Sequence, residues 1–278
     1  MIYLRRKLSL PRSLLVRLLL TTFAAIALVG SPAACTARTS SSNTSSPNPA
    51  QPRTPSDVVR EFYKAMREHR FQEAFALTIY KPAVEGLNAE EMEILRPGFE
   101  EKAAQIPASV EIMGEQISGK IATVFVKIPV DVSSPQVTSQ PLNLTNASGS
   151  WLIGSEADAA EVKKAGRRYF LDALMSEHEG DVEDILKRLV LWQGVYSQQH
   201  GGQYGDFPAL IKAGMLGANV IDPKLSGYNF RITVGKDGKS YVANAEPLSH
   251  GKTGKLSFWM DQTGLIKSAD TGGKPFKP

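Results

Sequence analysis

Cys35 is the one cysteine in this chain of 278 residues, and it stands where an apolar run gives way to small residues, in "ALVGSPAACTA" (27–37). A single thiol permits no internal disulfide, no zinc site built on two cysteines and no thiol nucleophile in the part that folds. The other residues with metal or proton chemistry do not converge. His69, His178, His200 and His250 are scattered, two of them beside glycines. His178 lies between Glu177 and Glu179 in a Glu-His-Glu-Gly run, which the sequence places in a solvated turn between two helices, with no second histidine at ligand spacing. Asp206 and Asp222, in loop-like stretches, are oxygen ligands of the type calcium takes, but too few acids cluster around them to form a site. Trp192, Tyr204, Phe207 and Trp259 could form a ligand platform; core or loop packing is the expectation for them. No Gly-x-Ser-x-Gly elbow, phosphate-binding loop, dinucleotide fingerprint or His-Glu-x-x-His occurs.

The elements around Cys35 explain what its thiol is for. Arg5, Arg6, Lys7, Arg12 and Arg17 precede an apolar run from Leu18 to Val29, then Gly30, Ser31, Pro32, Ala33 and Ala34. The run falls short of the ~20 apolar residues that span a bilayer, so residues 1–34 are expected to be a cleaved export signal. Removing it changes the charge balance. The chain carries 32 basic and 28 acidic residues, of which five basic and no acidic ones lie in 1–34, so the remainder is close to neutral and nucleic acid is not an expected partner. Residues 35–53 are rich in Ser, Thr, Asn and Pro and hold nothing large and apolar to bury, which predicts a disordered tether.

Ala33-Ala34-Cys35 resembles the lipobox of bacterial lipoproteins, in which the cysteine is diacylated and becomes the new N-terminus. Pro32 stands where that motif usually has an aliphatic residue. The resemblance implies lipidation at Cys35 and a membrane anchor; cleavage after Ala33 or Ala37 without a lipid is the alternative.

Folding is expected to start at Thr54. Thr54-Pro55-Ser56-Asp57 offers an N-cap, proline at the first helical position and an acid three residues on, and Val58, Val59, Phe62, Tyr63 and Met66 follow at helical spacing. Phe71 to Leu77 continues as a short helix, and Ala89 to Gln105 as a polar one. The period then changes to strands over 109–117, 121–132, 140–144 and 150–153, with Ser118-Gly119-Lys120 as a hairpin turn. Helices followed by an antiparallel meander predict an α+β domain over 54–155. Helical patterns fill 156–180, a connector, and continue in a wide apolar stripe to Val195. Alternation at Tyr228, Phe230 and Ile232, at Tyr241 and Ala243, and at Leu256 and Phe258 predicts a second antiparallel sheet packed on a helix, over 181–278.

"TPSDVVREFYKAMREHRFQEAFAL" and "LNLTNASGSWLIG" resemble the small cone-shaped domains of the nuclear transport factor two-like superfamily, in its bacterial lipoprotein branch. The resemblance implies helices packed on a curved antiparallel sheet. It also implies where an enzyme of this superfamily would place its acid, with a tyrosine, inside the cone: Asp131, Glu111, Tyr63 and Tyr80 are the residues of the right type. None matches a catalytic motif, and solvated strand acids and core tyrosines are the expectation.

The last third resembles the globular heads of type IV pilins and type II secretion pseudopilins. Gln193 and Tyr196 match a helix-ending Gln-x-x-Tyr, Gly202 to Gly205 the loop after it, Ile221-Asp222 and Gly227-Tyr228-Asn229-Phe230 the turn and first strand. Ala245 to Pro247, Gly251 to Phe258 and Asp261 to Gly264 match the remainder. The hydrophobic assembly helix of a pilin does not precede this head. Amphipathic, charged residues (Lys163, Lys164, Arg167, Arg168) stand there instead, so a reused head is expected and not a pilus subunit.

Together these readings predict an α+β protein, a cone followed by a pilin-head-like module, exported and lipid-anchored to a bacterial membrane facing the periplasm or cell surface. The expected role is a non-catalytic binding or scaffold module with no cofactor and no metal. Its expected partners are the membrane, through the lipid on Cys35, and an envelope protein or a small apolar ligand. The alternatives are a soluble periplasmic or secreted protein, an accessory component of a pilus or type II secretion system, and an isomerase- or hydrolase-type enzyme of the cone.

Overall fold

The computed structural model describes residues 53–107, 109–129, 137–146 and 149–278. Residues 1–52, which include Cys35, the expected leader and nearly all of the expected tether, lie outside the described residues, as does Asp131.

The fold is α+β, with two separate four-stranded antiparallel sheets, each a simple meander. Helix α1 (Pro55–Arg67) begins at the expected cap: the Asp57 N–H donates to the Thr54 hydroxyl at 3.2 Å and the Thr54 N–H to the Asp57 carboxylate at 3.3 Å. The first sheet contains β1 (Glu111–Ser118), β2 (Ile121–Pro129), β3 (Val137–Thr145) and β4 (Leu152–Ile153). Ala122, Val124 and Val126 from β2 and Leu142 and Leu144 from β3 are buried on one face. Ser56, in the first turn of α1, gives its N–H (2.9 Å) and hydroxyl (2.5 Å) to the Glu115 carboxylate on β1, tying helix to sheet.

Chain contacts divide the molecule into two units: the first has Pro107–Glu156 and the start of α1 up to Lys64, the second has Ala65–Ile106 and Ala157–Pro278. Helices α2 (Phe71–Ala76), α3 (Lys81–Glu85) and α4 (Ala89–Ala104) thus cluster with the second sheet, although they are adjacent in sequence to the first. Aromatic packing is the reason. Phe75 and Phe99 lie 4.7 Å apart, and both meet Phe170 of α6 (Arg168–Gln199), at 5.4 and 5.5 Å. Asn88 caps α4 in a full capping box with Glu91, whose N–H it accepts at 2.9 Å.

The helix break expected at Glu177–Gly180 is not there. α6 runs unbroken for 32 residues, so the boundary expected at 180/181 falls inside a helix. The chain turns earlier, at Gly166, whose φ of 53° ends α5 (Glu156–Ala165) in the left-handed conformation. Gly180 costs a helix of this length about 1 kcal/mol, which the buried stripe Met175, Val182, Ile185, Leu186 and Leu189 easily offsets.

His178 is part of that stripe: it is buried, not in a solvated turn, and its Nδ1 is 2.8 Å from the Thr253 carbonyl. Burial holds the imidazole below its ordinary value, against the opposing pull of the Thr253 carbonyl, Asp181 and Glu179. The unfolded chain therefore takes up this proton first as pH falls, and the stability tied to it is whole above about pH 6.5 and lost as pH drops below that. Glu177 and Asp181, raised mainly by desolvation, act in the opposite sense, their contribution being lost as pH rises. Comparing His178→Gln with the parent chain isolates the imidazole: its urea midpoint is expected to decline less between pH 7 and 5.5, and equal declines would contradict the assignment.

The second sheet contains β5 (Tyr228–Val234), β6 (Tyr241–Pro247), β7 (Ser257–Asp261) and β8 (Ile266–Ala269). Its inner face, Tyr228, Ile232, Tyr241, Ala243, Ala245, Phe258 and Met260, packs in one core with Val182, Leu186 and Leu189 of α6 and Phe207 and Leu210 of α7 (Phe207–Lys212).

Candidate functional site

The pleat that sends those residues inward sends their neighbours outward, and the outward row of the second sheet forms the candidate site. Strand register aligns Arg231 (β5) with Asn244 (β6), Asn244 with Trp259 (β7) and Trp259 with Lys267 (β8), one residue per strand across the whole sheet. Lys267 carries its ammonium 5.4 Å from the centre of the Trp259 ring, within cation–π range.

The chain after β8 returns to part of this row. After β8 the chain turns at Gly272 and Gly273, with φ of 66° and 79°. The turn is pinned by the Gly272 N–H to Asp270 at 3.1 Å, by the Asp270 bond to His250 at 2.8 Å and by the hydroxyl pair Thr271–Ser257 at 2.8 Å. Residues Pro275–Pro278 then line a cleft of about 350 Å³ together with Trp259, Asn244, Val242, Thr233 and Arg231 of the sheet's outer face. One hydrogen bond among the described residues joins strap to sheet, from the Asn244 amide to the Phe276 carbonyl at 3.3 Å.

Charge at the cleft is mixed but tilted to the positive side. Arg231 and Lys277 both line it. Glu246, two residues along β6 from Asn244, lies 3.8 Å from Arg231, and its other carboxylate oxygen is buried with no partner among the described residues. Burial lifts the Glu246 carboxyl above its usual range, and Arg231 offsets part of that. The arrangement has no nucleophile paired with a base. It has an indole, a side-chain amide and cations along an open groove, which suits binding an extended or planar group.

The residues singled out from the sequence are distributed differently. Trp259 lies outside the second core and lines the cleft beside the C-terminal segment. Trp192, Tyr204 and Phe207 do pack on the second core. Asp206 and Asp222 cap short helices, accepting the N–H groups of Ala209 and Lys224 at 2.9 and 3.0 Å. His200 stacks on Tyr196 at 3.8 Å, and His69 packs on Phe71. No cluster of three potential metal ligands occurs among the described residues.

Glu111 is exposed and paired with Lys127 at 3.0 Å. Tyr63 is buried, its hydroxyl without a partner among the described residues, and burial pushes it up to about 12. Tyr80 packs against Tyr169 and Phe170, and belongs to the other unit.

Arg231, Thr233, Val242, Asn244 and the strap were not anticipated. Their signal was present in the polar partners of the alternating strands and in the Pro-x-x-Pro spacing of Pro275 and Pro278.

No helix among the described residues is long and apolar enough to cross a membrane. No family model matches the chain, and no curated protein does. Among solved structures, the chain is similar to a SEC-C motif-containing protein from Rhodopseudomonas palustris, at 14% identity over 36% of this chain and 75% of that one, with a TM-score of 0.27.

Proposed function

We propose that this chain is a non-catalytic cell-envelope lipoprotein, exported behind residues 1–34, fixed to a bacterial membrane by lipid on Cys35 and working as a binding or scaffold module. The observation that carries the binding role is the Trp259 cleft: an aromatic floor, an amide donor and cations on a rigid sheet face. The membrane role is supported by the small residues before Cys35 and by the Ser/Pro-rich stretch after it. A flexible stretch of that length would hold the folded part within a few nanometres of the bilayer, at about 5–6 Å × √n.

A place in a pilus or type II secretion assembly is the second reading, favoured by one observation. Gln193, of the pilin-like Gln-x-x-Tyr, is buried and bridges to Gly205 in the loop that follows, donating to its carbonyl at 2.6 Å and accepting its N–H at 3.0 Å. Two of the residues that carry the resemblance thus hold each other.

Cys35→Ser is expected to abolish palmitate labelling and move the protein from the membrane fraction to the soluble fraction. Unchanged labelling and fractionation would sink the anchor.

A further inference from the structure

We propose that the Trp259 cleft is a recognition groove for an extended Pro-x-x-Pro segment of a protein partner, and that residues 274–278 occupy it in cis until that partner displaces them. The inference rests on the binding-module reading and names its ligand class.

The occupant itself identifies the class. The segment seated on the groove reads Lys274-Pro275-Phe276-Lys277-Pro278, with prolines three apart. Proline restricts φ and carries no N–H, so such a segment is extended at little entropic cost and offers carbonyls but few donors. A groove that reads it needs an aromatic surface for the rings and a side-chain donor for a carbonyl between them. Trp259 lines the same cleft as both prolines, and Asn244 supplies the donor, to the carbonyl of Phe276 between them. The fixed register of β5, β6 and β7 holds both side chains in place.

The same contacts show that the strap is a replaceable occupant. One hydrogen bond of 3.3 Å among the described residues joins it to the sheet, the Lys274 carbonyl is held by the Thr271 hydroxyl of the turn, and a cleft of about 350 Å³ is open beside it. Lys277 lines the cleft together with Arg231, which Glu246 at 3.8 Å balances only from one side, and Lys267 lies over the Trp259 ring. A partner segment with an acidic residue in place of Lys277 exchanges a cation for an anion beside Arg231. What keeps the strap in place is the pinned turn Asp270–Gly273, which makes its binding intramolecular.

The test uses the synthetic peptide GGKPFKP, matching residues 272–278, titrated onto the full chain and onto the chain ended after Gly273. The indole N–H resonance of Trp259 and calorimetry are the readouts. Because the tethered strap competes, the peptide is expected to bind the shortened chain at least ~10-fold more tightly than the full chain. Alanine in place of both prolines should weaken it by a further ~10-fold, the loss of the preformed extended shape. Glutamate in place of Lys277 should tighten it about threefold at low ionic strength, and the gain should vanish in concentrated salt.

Should the shortened chain lose its folded amide spectrum, the full chain carrying Pro275→Gly and Pro278→Gly takes its place, since it keeps the length while loosening the strap. Equal affinity for strapped and strap-free chains, or binding indifferent to the prolines, overturns the proposal. Either outcome leaves the membrane anchor standing, which falls instead with an unchanged Cys35→Ser protein.

Discussion

Phe99→Ala is expected to lower the unfolding free energy of the second unit by about 4 kcal/mol, the upper part of the range for a buried aromatic. Phe99 is 2% exposed and touches three other rings, Phe71 at 5.6 Å, Phe75 at 4.7 Å and Phe170 at 5.5 Å. With Phe99 in α4, the four rings come from three helices, and Phe71 and Phe170 stand about 100 positions apart in sequence. A cavity at their meeting point cannot close by the movement of one neighbour, so the site relaxes little. Urea denaturation followed by circular dichroism measures the loss. A cost below about 1 kcal/mol would mean that the aromatic contacts do not bind α2 and α4 to α6, and that the unit division is wrong.

The second large effect is steric. Gly254→Ala is expected to cost about 3 kcal/mol, because the new methyl would overlap the Tyr228 hydroxyl and lie 2.5 and 2.6 Å from the ring atoms Cζ and Cε2. Tyr228 cannot yield: it is fully buried, in edge contact with Phe258 at 6.0 Å, and its hydroxyl donates to the Leu256 carbonyl at 2.9 Å. The same overlap predicts a coupling. Tyr228→Leu makes room for the methyl, so the double variant is expected to cost less than the sum of the two singles by about 1–2 kcal/mol. Strict additivity would show that Gly254 is required for some reason other than this contact.

Gly254 also shows what could be read before the structure. It lies in the stretch Gly251 to Phe258, whose end alternates at Leu256 and Phe258 as a strand does, and β7 starts at Ser257; the alternating faces of β5, β6 and β7 are there too. Period-2 patterning is local and strong, so both meanders were legible from it. The Thr54–Asp57 cap was legible for the same reason: all of its atoms lie within four residues. The association of α2–α4 with α6 was not, because it depends on rings far apart in the chain, which no local period encodes.

His178 shows the opposite failure. Acids and a glycine around it read locally as a turn, yet tertiary burial on a long apolar stripe overrode that preference, and Gly166 took the break. The cleft was half legible. Trp259 stands out in the sequence as an aromatic, but an aromatic in a strand gives no sign of which face it takes or which distant segment lies beside it. Asn244 gains its meaning only from the Phe276 carbonyl placed over it by a turn at Gly272 and Gly273.

Whether those faces work at a membrane is decided at Cys35. The direct measurement is the mass of the N-terminal peptide of the mature protein, purified from membranes in detergent. A peptide that begins at Cys35 and carries a diacylglyceryl group on its sulfur is the expected result. A chain recovered from the cytosol with Met1 intact would contradict export, the anchor and the envelope role together.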